Sequence, residues 1–220
     1  MAEHFNATYA EGHPPWDIGH AQPDFVALAE AGEISGRVID VGCGTGENAM
    51  FLASRGLDVT GVDFAPTAIE LAMRKASERG LVVRFEVGNV LELGAYASYF
   101  DAAIDSGCFH VLDDADRARY ASSLHAALRE GGRLFVECFS ERQPGEWGPR
   151  RVTQAELRET FGMGWRVDWI RDAHFEIGPQ VRQIVGDAVP RIEAWLMAAT
   201  RIEPSERVEL ARGSGSSSGG

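Results

Sequence analysis

Short apolar runs alternate along the chain with amphipathic segments, and this alternation predicts the secondary structure. Five of the apolar runs have the length and nearly continuous hydrophobicity of buried strands, at 37–42, 58–63, 82–87, 100–105 and 133–139. Between them the pattern predicts helices over 48–55, from 66 to about 79, and from the acidic residues at 113–116 to the glycines at 131–132. Strands that alternate with helices and are buried on both faces indicate a parallel sheet covered by helices on both sides.

The last third of the chain has a different pattern. Residues 153–161 are predicted to form a helix that begins with a capping box of Thr153 and Glu156. Residues 165–177 alternate polar and apolar side chains as a strand does. The alanines of 193–202 favour a helix, but an uncovered sheet edge favours a strand, and we predict a strand that pairs with 165–175.

The chain is predicted to form one domain with additions at both ends. Residues 1–35 combine aromatic residues, glycines and prolines with a short helix, and are expected to be an N-terminal lid and helix. Residues 36–212 are expected to be the main α/β domain, and the glycines and serines of 213–220 a flexible tail.

Composition and charge narrow the range of partners. The 220 residues are 45% hydrophobic, as in an ordinary globular domain, and 33 acidic against 21 basic side chains give a net charge of −12. This charge disfavours nucleic acid and anionic membranes as partners. Three cysteines without metal-ligand spacing indicate reduced thiols in a cytoplasmic protein and predict no metal site.

The most specific motif is VIDVGCGTGENAMFLA at 38–53, an apolar strand followed by a glycine-rich turn and a helix. Glycines let the chain turn tightly and let a ligand approach the backbone. A dinucleotide fingerprint requires glycine where Glu47 stands, and a phosphate-binding loop requires a following lysine. An NAD-dependent oxidoreductase therefore remains only an alternative.

The motif resembles the Asp-x-Gly-x-Gly-x-Gly signature of class I S-adenosylmethionine-dependent methyltransferases, and the fourth-strand and fifth-strand segments resemble that family too. The resemblance implies an α/β, Rossmann-like fold with a seven-stranded, mostly parallel sheet, helices on both faces, an N-terminal lid and S-adenosylmethionine as cofactor. It assigns the ribose to Asp63 and the adenine to Phe64, while Asn89 stands where the family usually has an acid. The implied cofactor contacts are Trp16, Gln22, Asp40, Gly42, Cys43, Gly44, Gly46, Asp63, Phe64, Asn89, Val90, Asp105 and Ser106.

The N-terminal segment at 9–28 resembles the lid of the thiopurine and halide/thiol methyltransferases and of bacterial heterocycle methyltransferases, on Trp16, Asp17, Gly19, Gln22 and Pro23. The resemblance implies a small aromatic or heterocyclic acceptor, with O-methylation of a hydroxyquinolone-like heterocycle preferred. Thiol or thiopurine S-methylation is the alternative, and a protein that binds the cofactor without turnover is another. We expect a monomer or weak homodimer.

Methyl transfer needs a general base only when the acceptor arrives protonated. His110, just after the fourth strand, is the first candidate for that base, and His13 is the second. A satisfied core histidine is the structural alternative for His110. Aromatic and nearby side chains are predicted to line the acceptor pocket, namely Tyr9, Trp16, Phe109, His110, Phe139 and Trp147.

Overall fold

The computed structural model describes residues 2–12, 14–178, 181–183 and 191–203. Its α-helices are α1 (Ala2–Ala10), α2 (Pro23–Glu30), α3 (Glu47–Ser54), α4 (Pro66–Glu78), α5 (Asp114–Ala127) and α6 (Gln154–Thr160). Its strands are β1 (Arg37–Val41), β2 (Asp58–Asp63), β3 (Arg84–Val87), β4 (Phe100–Ser106), β5 (Leu128–Phe139), β6 (Trp165–Phe175) and β7 (Ile192–Arg201). The segment 213–220 and residues 204–212 of the expected methyltransferase domain lie outside the described residues.

Within the described part of the chain, seven strands form one sheet in the order β3-β2-β1-β4-β5-β7-β6. Strands β1 to β5 are parallel, and β7 runs antiparallel between β5 and β6. The predicted mostly parallel seven-stranded architecture is therefore confirmed. Chain order reverses between β1 and β4, and ligands of open α/β sheets bind at the carboxyl ends of the strands beside such a switch point.

Two apolar cores fill the two faces of the sheet. Alternate residues of each strand enter opposite cores, as Val38 and Ile39 do on β1 and Phe135 and Val136 do on β5. Helices α2, α3 and α4 cover the face of Val38 and Phe135, which we call the α2 face. Helices α5 and α6 cover the other, which we call the α5 face.

Most predicted elements are present, and the exceptions have physical reasons. The glycines at 131–132 do not end a helix: α5 ends at Ala127, and Leu128 already pairs with Phe100 as the first residue of β5. The third strand begins at Arg84, after a 94% exposed Val82. The capping box of Thr153 and Glu156 is confirmed.

The alanine-rich segment predicted as a strand is β7, and its pairing with β6 is confirmed. Ladders on both of its sides outweigh its helix propensity, because β5 and β6 each offer it a full row of hydrogen bonds. The N-terminal helix α1 is an element that the sequence pattern did not predict.

Among the described residues, no helix is both long and apolar enough to cross a membrane. The same residues contain no cluster of three or more histidine, cysteine or acidic side chains able to hold a metal ion.

Candidate functional site

The glycine-rich turn, residues 42–46, crosses the carboxyl end of β2. The backbone N–H groups of Gly42 and Cys43 both donate to the carbonyl of Val62, at 2.8 and 3.1 Å. Gly42, Gly44 and Gly46 all have left-handed backbone, with φ of +67°, +53° and +82°. A residue with a Cβ is strained in that conformation, so the turn depends on its glycines.

Each glycine also leaves room for a different neighbour. A Cβ on Gly42 would lie 2.7 Å from the Cβ of Cys108, and one on Gly44 would lie 2.8 Å from the Oη of Tyr9. The turn therefore touches both the segment after β4 and helix α1, which brings three parts of the chain to one place.

Asp63 ends β2 directly beside this turn. Its Oδ2 accepts a hydrogen bond from the N–H of Gly44 and its Oδ1 accepts one from the N–H of Ala65, both at 2.9 Å. Burial raises the pKa of Asp63, although these two hydrogen bonds act in the opposite direction. The carboxyl group is held in one orientation, and each oxygen keeps a lone pair for a ligand.

Asp40 at the end of β1 is buried and only partly satisfied. No hydrogen-bond partner for its Oδ2 exists among the described residues. Burial, followed by the negative charge of Asp105, raises the pKa of Asp40 to about 8, against a backbone hydrogen bond from Ala49. An unpaired buried carboxyl oxygen of this kind is suited to a ligand with a positive charge or an N–H group.

Asp105, predicted to contact the cofactor, is already fully engaged. Its carboxyl group accepts hydrogen bonds from the N–H groups of Cys108 and Phe109, at 2.7 and 3.0 Å, and from the hydroxyl of Tyr120. Burial raises its pKa to about 7. The arrangement assigns Asp105 to shaping the turn after β4, and Tyr120, which sequence reasoning missed, completes it.

The N-terminal segment lies on the glycine-rich turn through an aromatic cluster. The Trp16 indole donates to the Oη of Tyr9 at 3.0 Å, and the Phe5 ring lies 5.3 Å from that of Trp16 and 5.9 Å from that of Phe64. We call these four side chains the aromatic cap. Tyr9, Trp16 and Phe64 were predicted at the site, whereas Phe5 was not, and the assignment of this segment as a lid stays a prediction.

A charged network fastens the same segment to the turn. The carboxylate of Asp17 accepts hydrogen bonds from Thr45 Oγ1 at 2.6 Å and Lys75 Nζ at 3.0 Å, and Lys75 also reaches Glu47 at 2.9 Å. Burial would raise the pKa of Asp17, but the bonds from Thr45 and Lys75 outweigh it and lower that pKa. Glu47, which stands where a dinucleotide-binding motif requires glycine, is thus held by an ion pair with Lys75.

Gln22, another predicted cofactor contact, is bound to the end of β6. Its Oε1 accepts from the N–H of Glu176 at 3.0 Å, and its Nε2 donates to the carbonyl of the same residue at 3.3 Å. Both polar atoms of the amide are therefore engaged, and the geometry favours a role in holding the N-terminal segment in place.

His110 is buried with one ring nitrogen engaged. Its Nδ1 lies 3.1 Å from the backbone nitrogen of Phe139 and accepts that N–H, so the ring proton belongs on Nε2. Burial, followed by the charges of Arg117 and Arg151, lowers the pKa of His110 to about 3. In this state His110 can donate a hydrogen bond from Nε2 but has no lone pair for a general base, which disfavours its predicted role.

Of the predicted pocket residues, His110, Phe139 and Trp147 come together on the α2 face. The Phe139 ring lies 4.9 Å from His110, 6.1 Å from Trp147 and 5.6 Å from Phe175. We call these four residues the acceptor cluster, and Phe175 is the member that sequence reasoning missed. Arg151 stacks over Phe139 and Trp147 at 5.3 and 5.6 Å.

Phe109 does not join this cluster. It is fully buried in the core of the α5 face, between Tyr120 and Phe161. The prediction that Phe109 lines the acceptor pocket therefore conflicts with its position, because its ring lies on the α5 face whereas the acceptor cluster lies on the α2 face.

The remaining predicted contacts occupy the same edge of the sheet. Asn89 accepts from the N–H of Leu91 at 3.0 Å and so closes a turn after β3, and Val90 is buried. Ser106 ends β4 and is half-buried, as is Cys43 in the glycine-rich turn. His13 lies outside the described residues.

Comparisons with known proteins agree with this geometry. Residues 38–132 match the family described as methyltransferase domain. The 2-heptyl-1-hydroxyquinolin-4(1H)-one methyltransferase of Mycobacteroides abscessus is 40% identical over 163 residues, which cover 73% of this chain and 72% of that protein.

Two solved structures show the same fold. One, described as the conversion of a disulfide bond into a thioacetal group during echinomycin biosynthesis, has a TM-score of 0.84 at 35% identity and covers 97% of this chain and 98% of its own. The other is the 1,6-didemethyltoxoflavin-N1-methyltransferase of Burkholderia thailandensis with bound substrate and S-adenosylhomocysteine. It has a TM-score of 0.71 at 24% identity and covers 92% of this chain and 87% of its own.

Proposed function

Because the chain belongs to the S-adenosylmethionine-dependent methyltransferases, we propose that it methylates a hydroxyl oxygen of a small aromatic heterocycle, of the hydroxyquinolone type. The observation that carries the choice of acceptor is the acceptor cluster. In it the aromatic rings of Phe139, Trp147 and Phe175 lie together with the N–H donor of His110 at the carboxyl edge of the sheet.

The residues at the glycine-rich turn fit the cofactor. Asp63 keeps lone pairs for two ribose hydroxyls, the three glycines give the turn its left-handed shape beside it, and Asp40 has an unpaired oxygen for the amino group. When bound, S-adenosylmethionine supplies an electrophilic methyl group on a sulfonium centre. The protein itself must bind the acceptor, orient it and exclude water.

Each part of the site contributes to this task. Phe139 and Trp147 would hold the heterocycle by stacking, while Nε2–H of His110 would donate to a polar oxygen of the ring system. The aromatic cap and the Asp17–Lys75 network hold the N-terminal segment against the turn, where it would exclude water.

An acceptor panel tests the proposal. Purified protein is incubated with labelled S-adenosylmethionine and with 2-heptyl-1-hydroxyquinolin-4(1H)-one, the same quinolone without its N-hydroxyl group, and an aryl thiol, and products are identified by mass spectrometry. We expect an O-methylated product from the hydroxyquinolone and none from the quinolone. Failure of every acceptor would contradict the proposed reaction.

Sulfur is the second candidate acceptor atom. Its support is the neighbour at 35% identity, whose described chemistry converts a disulfide into a thioacetal. Faster methylation of the aryl thiol than of the hydroxyquinolone would favour this alternative.

The raised pKa of Asp40 predicts how cofactor affinity depends on pH. Free Asp40 is mostly neutral below its pKa of about 8, and a cationic amino group beside it favours the charged form, so binding releases a proton. Affinity for S-adenosylhomocysteine should therefore rise between pH 6 and 8, by up to about tenfold per pH unit. Calorimetry on Asp40→Asn should show weaker and flatter binding, whereas exposed Asp58→Asn should keep the wild-type slope.

We also propose a cellular compartment and an oligomeric state for the protein. The three cysteines are free thiols, which supports a reducing compartment such as the cytoplasm. The acceptor is a small molecule, and we propose that the protein acts on it as a monomer or weak homodimer.

A further inference from the structure

Glu137 is a buried carboxyl group on β5 that the sequence motifs did not single out. It is fully buried and pairs in register with Ser106 of β4 on one side and with Leu196 of β7 on the other. Its neighbours Val136 and Cys138 belong to the core of the α5 face. Strand alternation therefore directs Glu137 to the α2 face, together with Phe135 and Phe139.

The structure gives this carboxyl group no structural partner. Neither oxygen of Glu137 has a hydrogen-bond partner among the described residues, whereas the buried carboxyl groups of Asp63 and Asp105 both accept hydrogen bonds from backbone N–H groups. Burial raises the pKa of Glu137, and so do the charges that reach it from other elements, Asp24 on α2 and Asp105 at the end of β4. An unpaired acid in an apolar core opposes folding, so its presence calls for a functional explanation.

Its position connects it to the acceptor cluster. The N–H of Gly107 donates to the backbone carbonyl of Glu137 at 3.0 Å, which ties the turn that carries His110 to this residue. Two residues later, the N–H of Phe139 donates to His110. Asp40 lies on the same face of the sheet, two strands away and, by the strand register, two residues nearer the start of the strands, or roughly 12 Å at ordinary strand spacing and rise. Glu137 thus lies on the face that carries both halves of the site.

We propose that Glu137 is the general base of the reaction, an assignment that rests on the proposed O-methylation. The acceptor hydroxyl donates its hydrogen to a carboxylate oxygen of Glu137. As the acceptor oxygen forms its bond to the methyl carbon, the bond between that carbon and sulfur breaks with its electron pair left on sulfur. The hydroxyl proton moves to Glu137 and passes to water when the product leaves. His110, with its proton fixed on Nε2, donates to the acceptor and leaves this task to the carboxylate.

The test compares Glu137→Gln and Glu137→Leu with wild type and with Glu193→Gln, which alters a half-buried carboxylate on β7 that pairs with His174. Three quantities are measured: kcat for 2-heptyl-1-hydroxyquinolin-4(1H)-one, affinity for S-adenosylhomocysteine, and Tm. We expect both Glu137 variants to lose roughly 10²–10⁴-fold in kcat with unchanged affinity for S-adenosylhomocysteine. Wild-type kcat/KM should rise with pH through the raised pKa of Glu137, and this rise should be absent in Glu137→Gln.

Stability provides a readout that does not depend on turnover. Glu137→Leu replaces an unpaired acid with an apolar side chain, so its Tm should equal or exceed that of wild type. Unchanged kcat in both variants, or a large loss of Tm or of S-adenosylhomocysteine binding, would overturn the assignment and make Glu137 a structural residue. Inactivity of the wild-type protein toward every acceptor would instead overturn the proposed function, and this assignment with it.

Discussion

Asp63→Asn should bind S-adenosylhomocysteine about 100-fold more weakly than the wild-type protein, or about 3 kcal/mol. The carboxylate of Asp63 offers acceptors to two ribose hydroxyls, and its two oxygens are already oriented by the N–H groups of Gly44 and Ala65. Asparagine has a similar shape but loses the charge and one of the two acceptors. Hydrogen bonds to charged groups are the stronger class, so the loss should be large. Calorimetric titration measures it.

A matched control lies on the same strand. Asp58 begins β2 at the opposite end of the sheet and is exposed, so Asp58→Asn removes the same charge without touching the site. It should bind S-adenosylhomocysteine as wild type does. If the two variants have equal affinities, Asp63 is not the ribose ligand, and the assignment of the cofactor site to the glycine-rich turn must be revised.

The sequence predicted the fold well where one face or both faces of an element had a regular pattern. Buried parallel strands are continuous apolar runs, and the helices between them end at glycines. It failed at the glycines of 131–132, because the pairing of Leu128 with Phe100 is a long-range contact that no local pattern records. Helix α1 was missed for a related reason, since its packing against α4 depends on tertiary contacts.

The sequence predicted those parts of the candidate site in which residues at a fixed separation along the chain meet at the ends of neighbouring strands. The glycine-rich turn and Asp63 meet as their separation required. Partners that are distant in sequence were not predictable: Lys75 on α4 is 58 residues from Asp17, and Tyr120 reaches Asp105 from α5. The state of Glu137 was not predictable either, because only the structure shows that the carboxyl group of this glutamate in an apolar strand has no partner among the described residues.

These hidden partners separate the predicted site residues into two groups. Asp40 and Asp63 keep free lone pairs and can bind a ligand, whereas Asp105 and Gln22 use their polar atoms to position the chain. His110 falls between them, with one nitrogen engaged and one N–H free to donate. Residue type and motif position do not show whether a residue can bind a ligand or only positions the chain, because that depends on its hydrogen-bond partners in the fold.

Gly46→Ala should destabilise the protein by about 3–4 kcal/mol and lower its Tm by about 10 °C. Two costs add at this position. The backbone φ of +82° is a left-handed conformation that costs alanine about 1–2 kcal/mol. The new Cβ would also lie 2.5 Å from the Cζ of Phe85 and 3.1 Å from the Cβ of Ala72, both buried, and overpacking of this kind costs about 1–3 kcal/mol.

Gly56→Ala separates the two costs. Gly56 follows α3 with a φ of +87°, but no described atom beyond its chain neighbours lies within 4 Å of a Cβ there, so it should lose only the conformational part, about 1–2 kcal/mol. Urea unfolding of both variants gives the difference in their losses, which is the cost of fitting the new Cβ at position 46 against Phe85 and Ala72. Equal losses in the two variants would show that Phe85 moves aside freely, and that the turn is not held rigidly against the core. If Gly46→Ala loses much more unfolding free energy than Gly56→Ala, the glycine-rich turn is held in place by packing against Phe85 and Ala72 in the core.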